Sequence, residues 1–215
     1  MPCLAADAAT LRERMVQDQI EARGVRDQRV LAAMRSVPRH RFVPQDQQAD
    51  AYLDKPLPIG YGQTISQPYI VAVMTELARP AASDRALEIG TGSGYQAAVL
   101  AQLVDRVYTI EIVEPLARQA ARTLQSEMAS NVVVRAGDGY GGWVEHAPFD
   151  IILVTAAPDH IPQPLLDQLK PGGRMVVPVG PTHAVQQLRL IEKDAAGRTH
   201  SRQVADVRFV PLRRK

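Results

Sequence analysis

From residue 69 onward the chain alternates short apolar runs with amphipathic stretches of about ten residues, and few folds can absorb that order. The runs at 85–89, 106–110, 131–135, 150–154 and 174–179 read as strands, and 69–79, 94–103, 114–128 and 163–169 read as helices. Strands this apolar have to be covered on both faces, so the pattern predicts repeated βαβ units around a parallel sheet. Lys170-Pro-Gly-Gly173 reads as a turn ahead of the last of these strands. The runs 186–193 and 203–210 alternate more, flank Ala195-Ala-Gly197, and predict a closing antiparallel hairpin. The expectation is a doubly wound, mostly parallel α/β sheet with a helical N-terminal extension and that C-terminal hairpin. Residues 1–215 would form one domain, with 10–80 supplying helices and a covering loop and 81–215 the core.

Upstream, Met15, Ile20, Val30, Leu31 and Met34 sit among charges, so 10–36 reads as helix divided at Gly24. Thr10 is placed as its N-cap, with Glu13 at capping-box spacing. Two prolines within 37–44 preclude one continuous helix there. Residues 52–68 hold three prolines and two glycines without a helical period, which predicts a long irregular loop; such loops are usually functional. At 46% apolar residues the chain can bury a sizeable core, and no apolar stretch approaches the roughly 20 residues of a membrane span. The first ten residues lack a basic region followed by an apolar one, so no signal peptide is expected. A single cysteine, Cys3, excludes an internal disulfide and makes a reducing, cytoplasmic address the default. Net charge is only +2, no run of five like charges occurs, and aromatics total 5%, which fits an arginine-rich solvated surface better than a nucleic-acid footprint. Without heptads or a long apolar helix, a monomer is the default.

Glu88-Ile-Gly90-Thr-Gly92-Ser-Gly94-Tyr95 lies where the first core strand meets a helix. Glycines there let the backbone approach a ligand closely. A dinucleotide fingerprint would place its third glycine at 95, which is tyrosine. The G-x-G-x-G spacing with an acid two residues ahead is the pattern of S-adenosylmethionine-dependent methyltransferases. Glu111 ends the second strand 21 positions after Gly90, near the spacing at which an acid meets ribose hydroxyls; a solvated strand-end residue is the alternative. Asp138, in Gly137-Asp-Gly139, suits either an adenine amino group or an Asx turn. His40, His146, His160, His183 and His200 show no ligand spacing, so no metal site is expected.

Pro56-Leu-Pro-Ile-Gly-Tyr-Gly-Gln-Thr-Ile-Ser-Gln-Pro-Tyr-Ile-Val71 and Met74-Thr-Glu-Leu77 closely resemble the protein-L-isoaspartate O-methyltransferase family. So do Leu87–Ala98, Gly137-Asp-Gly-Tyr-Gly141, Gln168-Leu-Lys-Pro-Gly-Gly173, Phe209-Val-Pro-Leu212, Met15-Val-x-x-Gln-Ile20 and Val37-Pro-Arg-His40, so the match spans about 12–212. The chain stops three residues after Leu212, where some relatives of this kind carry more sequence.

The resemblance implies a Rossmann-like methyltransferase fold and methylation of the free carboxylate of L-isoaspartyl, and of D-aspartyl, residues in damaged proteins, with repair through a succinimide. It implies S-adenosyl-L-methionine as donor, held by Gln63, Thr64, Ile65, Ser66, Glu88, Gly90, Thr91, Gly92, Gly94, Tyr95, Glu111, Ile112, Asp138 and Gly139. Ser66 would be the active-site residue, orienting the acceptor carboxylate; capping the helix that starts near Gln67-Pro68 is an equal alternative. Methylation of another small carboxylate, hydroxyl or amine is the competing activity. The place of an amino-methylating Asn/Asp-Pro-Pro-aromatic motif reads Val154-Thr-Ala-Ala-Pro158, with no residue suited to orient an amino group. A dehydrogenase and a non-catalytic scaffold are the remaining classes.

Overall fold

The computed structural model describes residues 3–182 and 184–214. His183, the first two residues and Lys215 lie outside them. Seven strands form the main sheet: β3 (Arg85–Ile89), β4 (Arg106–Glu111), β5 (Val132–Ala136), β6 (Phe149–Val154), β7 (Leu169–Val179), β8 (Gln186–Lys193) and β9 (Thr199–Val207). Their order is β5-β4-β3-β6-β7-β8-β9, parallel from β5 to β7 and antiparallel at β8 and β9. The chain runs outward from β3 through β4 to β5, then returns to lay β6 on the other side of β3. That reversal opens a crevice beyond the carboxyl ends of β3 and β6, where ligands bind in open α/β sheets.

Alternation along β3 shows why both faces are covered. Ala86 packs with one apolar cluster, whereas Leu87 and Ile89 belong to the other. The first face carries α3 (Pro68–Ala78), α4 (Tyr95–Ala101), α5 (Glu114–Ser126) and the N-terminal helices. The second holds Trp143, Phe149 and Leu165 of α6 (Gln163–Gln168). The doubly wound α/β fold is the one the alternation predicts.

Local boundaries depart from the sequence reading in four places. The first helix, α1 (Cys3–Arg14), starts upstream, so Thr10 lies inside it and does not cap it; the alanine-rich start favours helix ahead of Thr10. A π-helical turn (Met15–Ile20) and a 3₁₀ turn (Glu21–Arg23) follow, and Gly24, at φ 102°, ends the segment before α2 (Gln28–Ser36). The stretch 52–68 is not wholly irregular: β1 (Leu57–Gly60) and β2 (Gln63–Ile65) form a small hairpin. Its turn holds Gly60, Tyr61 and Gly62 at φ 91°, 54° and 70°, a left-handed run that no helical or strand period reveals. Lys170-Pro-Gly-Gly173 is part of β7, marked by a register shift against β6, because Leu169 already pairs with Phe149. The second hairpin arm runs Thr199–Val207, earlier than 203–210; beyond it the chain leaves the sheet and Pro211 bridges to Ala157. Among the described residues no helix is long and apolar enough to cross a membrane.

Candidate active site

The turn from β3 into α4 is held by its neighbours. Gly90 and Thr91 donate their N–H groups to Ile110 O at 2.8 and 3.2 Å, tying the glycine loop to the end of β4. Gly90 has φ 97°, and a Cβ there would lie 2.6 Å from Thr155 Oγ1. The Thr155 hydroxyl instead lies 2.6 Å from Gly90 O and 3.0 Å from Ile89 O, so the end of β6 braces the loop. Only glycine fits that approach.

Two carboxyl groups stand in this crevice in different surroundings. Glu111 is nearly buried and accepts from Gly92 N at 2.8 Å and from Val113 N at 2.9 Å. Glu88 is fully buried; its Oε2 accepts from Thr109 Oγ1 at 2.5 Å, and that hydroxyl also meets Thr91 Oγ1 at 2.6 Å. Its Oε1 has no hydrogen-bond partner among the described residues. Burial pushes the Glu88 carboxyl up to about 8; the Thr109 bond opposes the rise and nearby Glu111 adds to it.

The β1–β2 hairpin covers the crevice. Gln63, Thr64, Ile65 and Ser66 line it together with Glu88, Gly90, Thr91, Gly92, Tyr95, Glu111, Ile112 and Gly139. Twelve of the fourteen residues expected around the donor therefore share one cleft. Gly94 does not line it: a Cβ at 94 would press on Leu124 at 3.2 Å, so this glycine lets α4 pack on α5. Nor does Asp138, whose Oδ1 accepts from Tyr140 N at 2.9 Å in an Asx turn that presents Gly139 to the cleft. Sequence reasoning missed Thr155 and Ala156, and Pro211–Arg213 of the tail, on the same wall. Thr155 sits within the quoted 154–158 segment, but its role depends on which strand lies beside β3.

A second cleft adjoins the first and shares Thr64, Ser66, Thr155 and Val210 with it. Gln67, Ile70, Asp206, Val207, Arg208 and Phe209 form much of its remaining wall. Gln67 is the N-cap of α3 and provides no side-chain capping bond, and Pro68 occupies the first turn. Ser66 precedes that cap and lines both clefts. The histidines lie apart: His40 meets Tyr52, His146 stacks on Tyr108, His160 bonds Tyr140, and His200 faces Asp194.

The protein-L-isoaspartate(D-aspartate) O-methyltransferase family matches residues 10–215. The protein-L-isoaspartate O-methyltransferase of Opitutus terrae is 59% identical over 204 residues, 95% of this chain and 87% of that protein. Protein-L-isoaspartate O-methyltransferase 1 of Nitrosospira multiformis is 57% identical, covering 99% of this chain and 91% of that one. Among solved structures, a protein-L-isoaspartate O-methyltransferase superposes with TM-score 0.84 at 30% identity, over 93% of this chain and 65% of that chain. A Plasmodium falciparum chain solved in complex with S-adenosyl-L-homocysteine superposes with TM-score 0.80 at 23% identity, over 95% and 99%, and shares the fold. With family, relatives and fold in agreement, this chain belongs to the protein-L-isoaspartate(D-aspartate) O-methyltransferase family.

Proposed function

We propose that the first cleft takes S-adenosylmethionine, that the second takes the acceptor peptide, and that methyl transfer occurs where they meet at Ser66. The activity is S-adenosylmethionine-dependent methylation of L-isoaspartyl carboxylates in damaged proteins, which starts repair through a succinimide. The observation that carries the assignment of the clefts is their junction: one loop, Gln63–Ser66, borders both.

The residues of the first cleft fit the donor chemically. Glu111 offers lone pairs for two vicinal hydroxyls after its bonds to Gly92 and Val113. Glu88 Oε1, buried and without a partner among the described residues, leaves one unpaired polar atom on the cleft wall for a bound donor to meet. A Cβ at Gly139 would lie 2.6 Å from Ile89 Cγ2, so glycine there lets the 137–139 turn lie close against Ile89 on the cleft wall. When bound, the donor supplies an electrophilic methyl group on a sulfonium.

This chain then has to bind, align and exclude water. An acceptor carboxylate with pKa about 4 is already ionised at neutral pH, so no general base is needed. Ser66 can donate its hydroxyl proton to one carboxylate oxygen and leave the other to face the methyl carbon, orienting the acceptor without attacking anything itself. The Asp206–Val210 segment and the Thr64–Ser66 backbone supply main-chain groups for an extended peptide, which suits substrates of many sequences. D-aspartyl residues are included as acceptors on the same geometry. The enzyme is read as a monomer in the cytoplasm, acting on proteins, with no nucleic-acid or membrane partner.

The deciding experiment is methyl transfer from labelled donor to matched peptides, one isoaspartyl and one aspartyl. Transfer confined to the isoaspartyl peptide is expected; equal rates would overturn the repair reading. Titration with S-adenosylhomocysteine and with NADH separates the donor class, and binding of NADH alone would overturn the donor assignment.

A further inference from the structure

Two donors converge on one carboxylate at the base of the loop that carries Ser66. Asp54 Oδ2 accepts from Gln67 Nε2 at 2.7 Å and from Arg23 Nη1 at 2.6 Å. Asp54 precedes the segment 55–66 and Gln67 follows it, so one side-chain bond across 13 residues closes the loop where it leaves the body. The Arg23 guanidinium also lies over the ring of Tyr69, 3.5 Å from its centroid, in the first turn of α3. Arg23 thus ties both ends of the loop to the N-terminal helices.

The stretch just ahead of Asp54 is anchored as well. Gln19 Nε2 donates to Tyr52 O at 3.0 Å, and the buried Arg39 donates Nε–H to Ala51 O at 2.8 Å. Burial pulls the Arg39 guanidinium down to about 10, against the smaller opposing pull of Tyr95, Tyr52 and Asp54, and its Nη atoms have no hydrogen-bond partners among the described residues. Asp54, about a quarter exposed, gathers both donors on Oδ2, while its Oδ1 is buried without a hydrogen-bond partner among the described residues. The hairpin above it has a short ladder and a three-residue left-handed turn, so little within the loop itself fixes the direction of its end.

We propose that Asp54 is a positioning residue for methyl transfer: its joint grip on Gln67 and Arg23 closes the base of the 55–66 loop and sets where Ser66 stands between the two clefts. This rests on the reading of Ser66 as the residue that orients the acceptor. In-line transfer is intolerant of misalignment, and a displacement of about 1 Å costs up to a hundred-fold in rate. Gln63–Ser66 line the donor cleft too, but the glycine loop after β3 and Glu111 at the end of β4 lie on elements that Asp54 does not touch, so donor binding depends on it less than turnover does.

The test compares Asp54→Ala, Asp54→Asn, Gln67→Ala and the Asp54→Ala/Gln67→Ala pair. It measures kcat on an isoaspartyl peptide and the Kd of S-adenosylhomocysteine. Asp54→Ala should lower kcat about ten- to a hundred-fold while the Kd stays within about three-fold. Asp54→Asn keeps an acceptor for Gln67 and should recover most of the lost kcat, which a general structural role would not predict. The double variant should be no slower than Asp54→Ala alone, because both substitutions break the same bond. A folded Asp54→Ala enzyme with kcat within about two-fold of the parent, or full additivity in the double variant, overturns the proposal. If Asp54→Ala does not fold, Gln67→Ala removes the same bond from its other side, and a folded Gln67→Ala enzyme with kcat within about two-fold of the parent overturns the proposal equally. Where Ser66→Ala slows the reaction and Asp54→Ala does not, only the positioning role falls. Where neither slows it, the reading of Ser66 falls too.

Discussion

Replacing Glu111 with alanine tests two functions of one carboxylate at once. In the free protein its oxygens accept from Gly92 N and Val113 N at 2.8 and 2.9 Å, at a position only 5% exposed. Hydrogen bonds to a charged group contribute about 1.5–3 kcal/mol each, and two amides left without an acceptor so far from water recover little of that. The expected loss of stability is therefore about 3 kcal/mol, or a fall in Tm of roughly 6–12 °C for a chain of this size. Donor affinity should fall by about ten-fold or more, because the carboxylate also serves the vicinal hydroxyls and its loss frees the glycine loop. Glu111→Gln retains one acceptor oxygen but turns an amide N–H₂ toward a backbone N–H, so it should lie between parent and alanine on both scales. The assay pairs thermal unfolding of the free protein with calorimetric titration of S-adenosylhomocysteine. An unchanged Tm would refute the loop-anchoring role. An unchanged Kd in a folded variant would remove Glu111 from the donor site.

Three further outcomes follow from the same geometry. Ser66→Ala should keep measurable turnover and lose about one to two powers of ten in kcat/KM, the scale of one hydrogen bond to a charged group; a methylated serine found by mass spectrometry would contradict an orienting role. Glu88 titrates near 8 in the folded protein, above the carboxyl of an unfolded chain, so the folded state holds a proton that the unfolded state releases, and stability declines as pH rises from about 4.5 to 8. Unfolding of the free enzyme followed across that range should show the decline, and Glu88→Gln should flatten it; parallel curves for the two proteins would contradict the burial argument. Gly94→Ala should destabilise the fold by about 1–3 kcal/mol through its φ of 90° and the contact with Leu124, while the donor Kd of the folded fraction stays near that of the parent. A large loss of donor affinity without a loss of stability would return Gly94 to the donor site.

What the sequence made legible was whatever depends on local order. Strand β3 falls where the apolar run 85–89 puts it, and the glycines at 90 and 92 stand on the cleft wall because a strand-to-helix turn needs them wherever it occurs. The hairpin inside 52–68 was not legible. Its residues carry no period, and its turn runs through Tyr61 at positive φ, which a tyrosine adopts only when the surroundings impose it. Thr10 fitted the capping-box pattern, yet the alanine-rich residues ahead of it continue the helix, so propensity overrode the cap. The tail Val210–Arg213 reaches the cleft through Leu212 N to Ala157 O at 2.8 Å, a contact spanning more than fifty residues. No local pattern encodes such a contact.

The two acids show the same boundary within a single site. Glu88 and Glu111 were each found by spacing to a glycine, as if both simply faced a ligand. Register makes them different. In the parallel pair β3–β4, Glu88 lies opposite Thr109, so its carboxyl is enclosed by the neighbouring strand and satisfied by a hydroxyl on one oxygen alone. Glu111 lies two residues further on, past the last paired position of β3, where that strand has already turned into the glycine loop. Its carboxylate therefore meets the N–H of Gly92 and the start of α5 at Val113, and remains open to the cleft. One acid thus becomes a buried, proton-holding group and the other the tie between loop and helix. A shift of β4 by two residues would set Glu111 opposite Glu88 in place of Thr109, which is why the division of labour between two like side chains is set by strand register rather than by the motif that contains them.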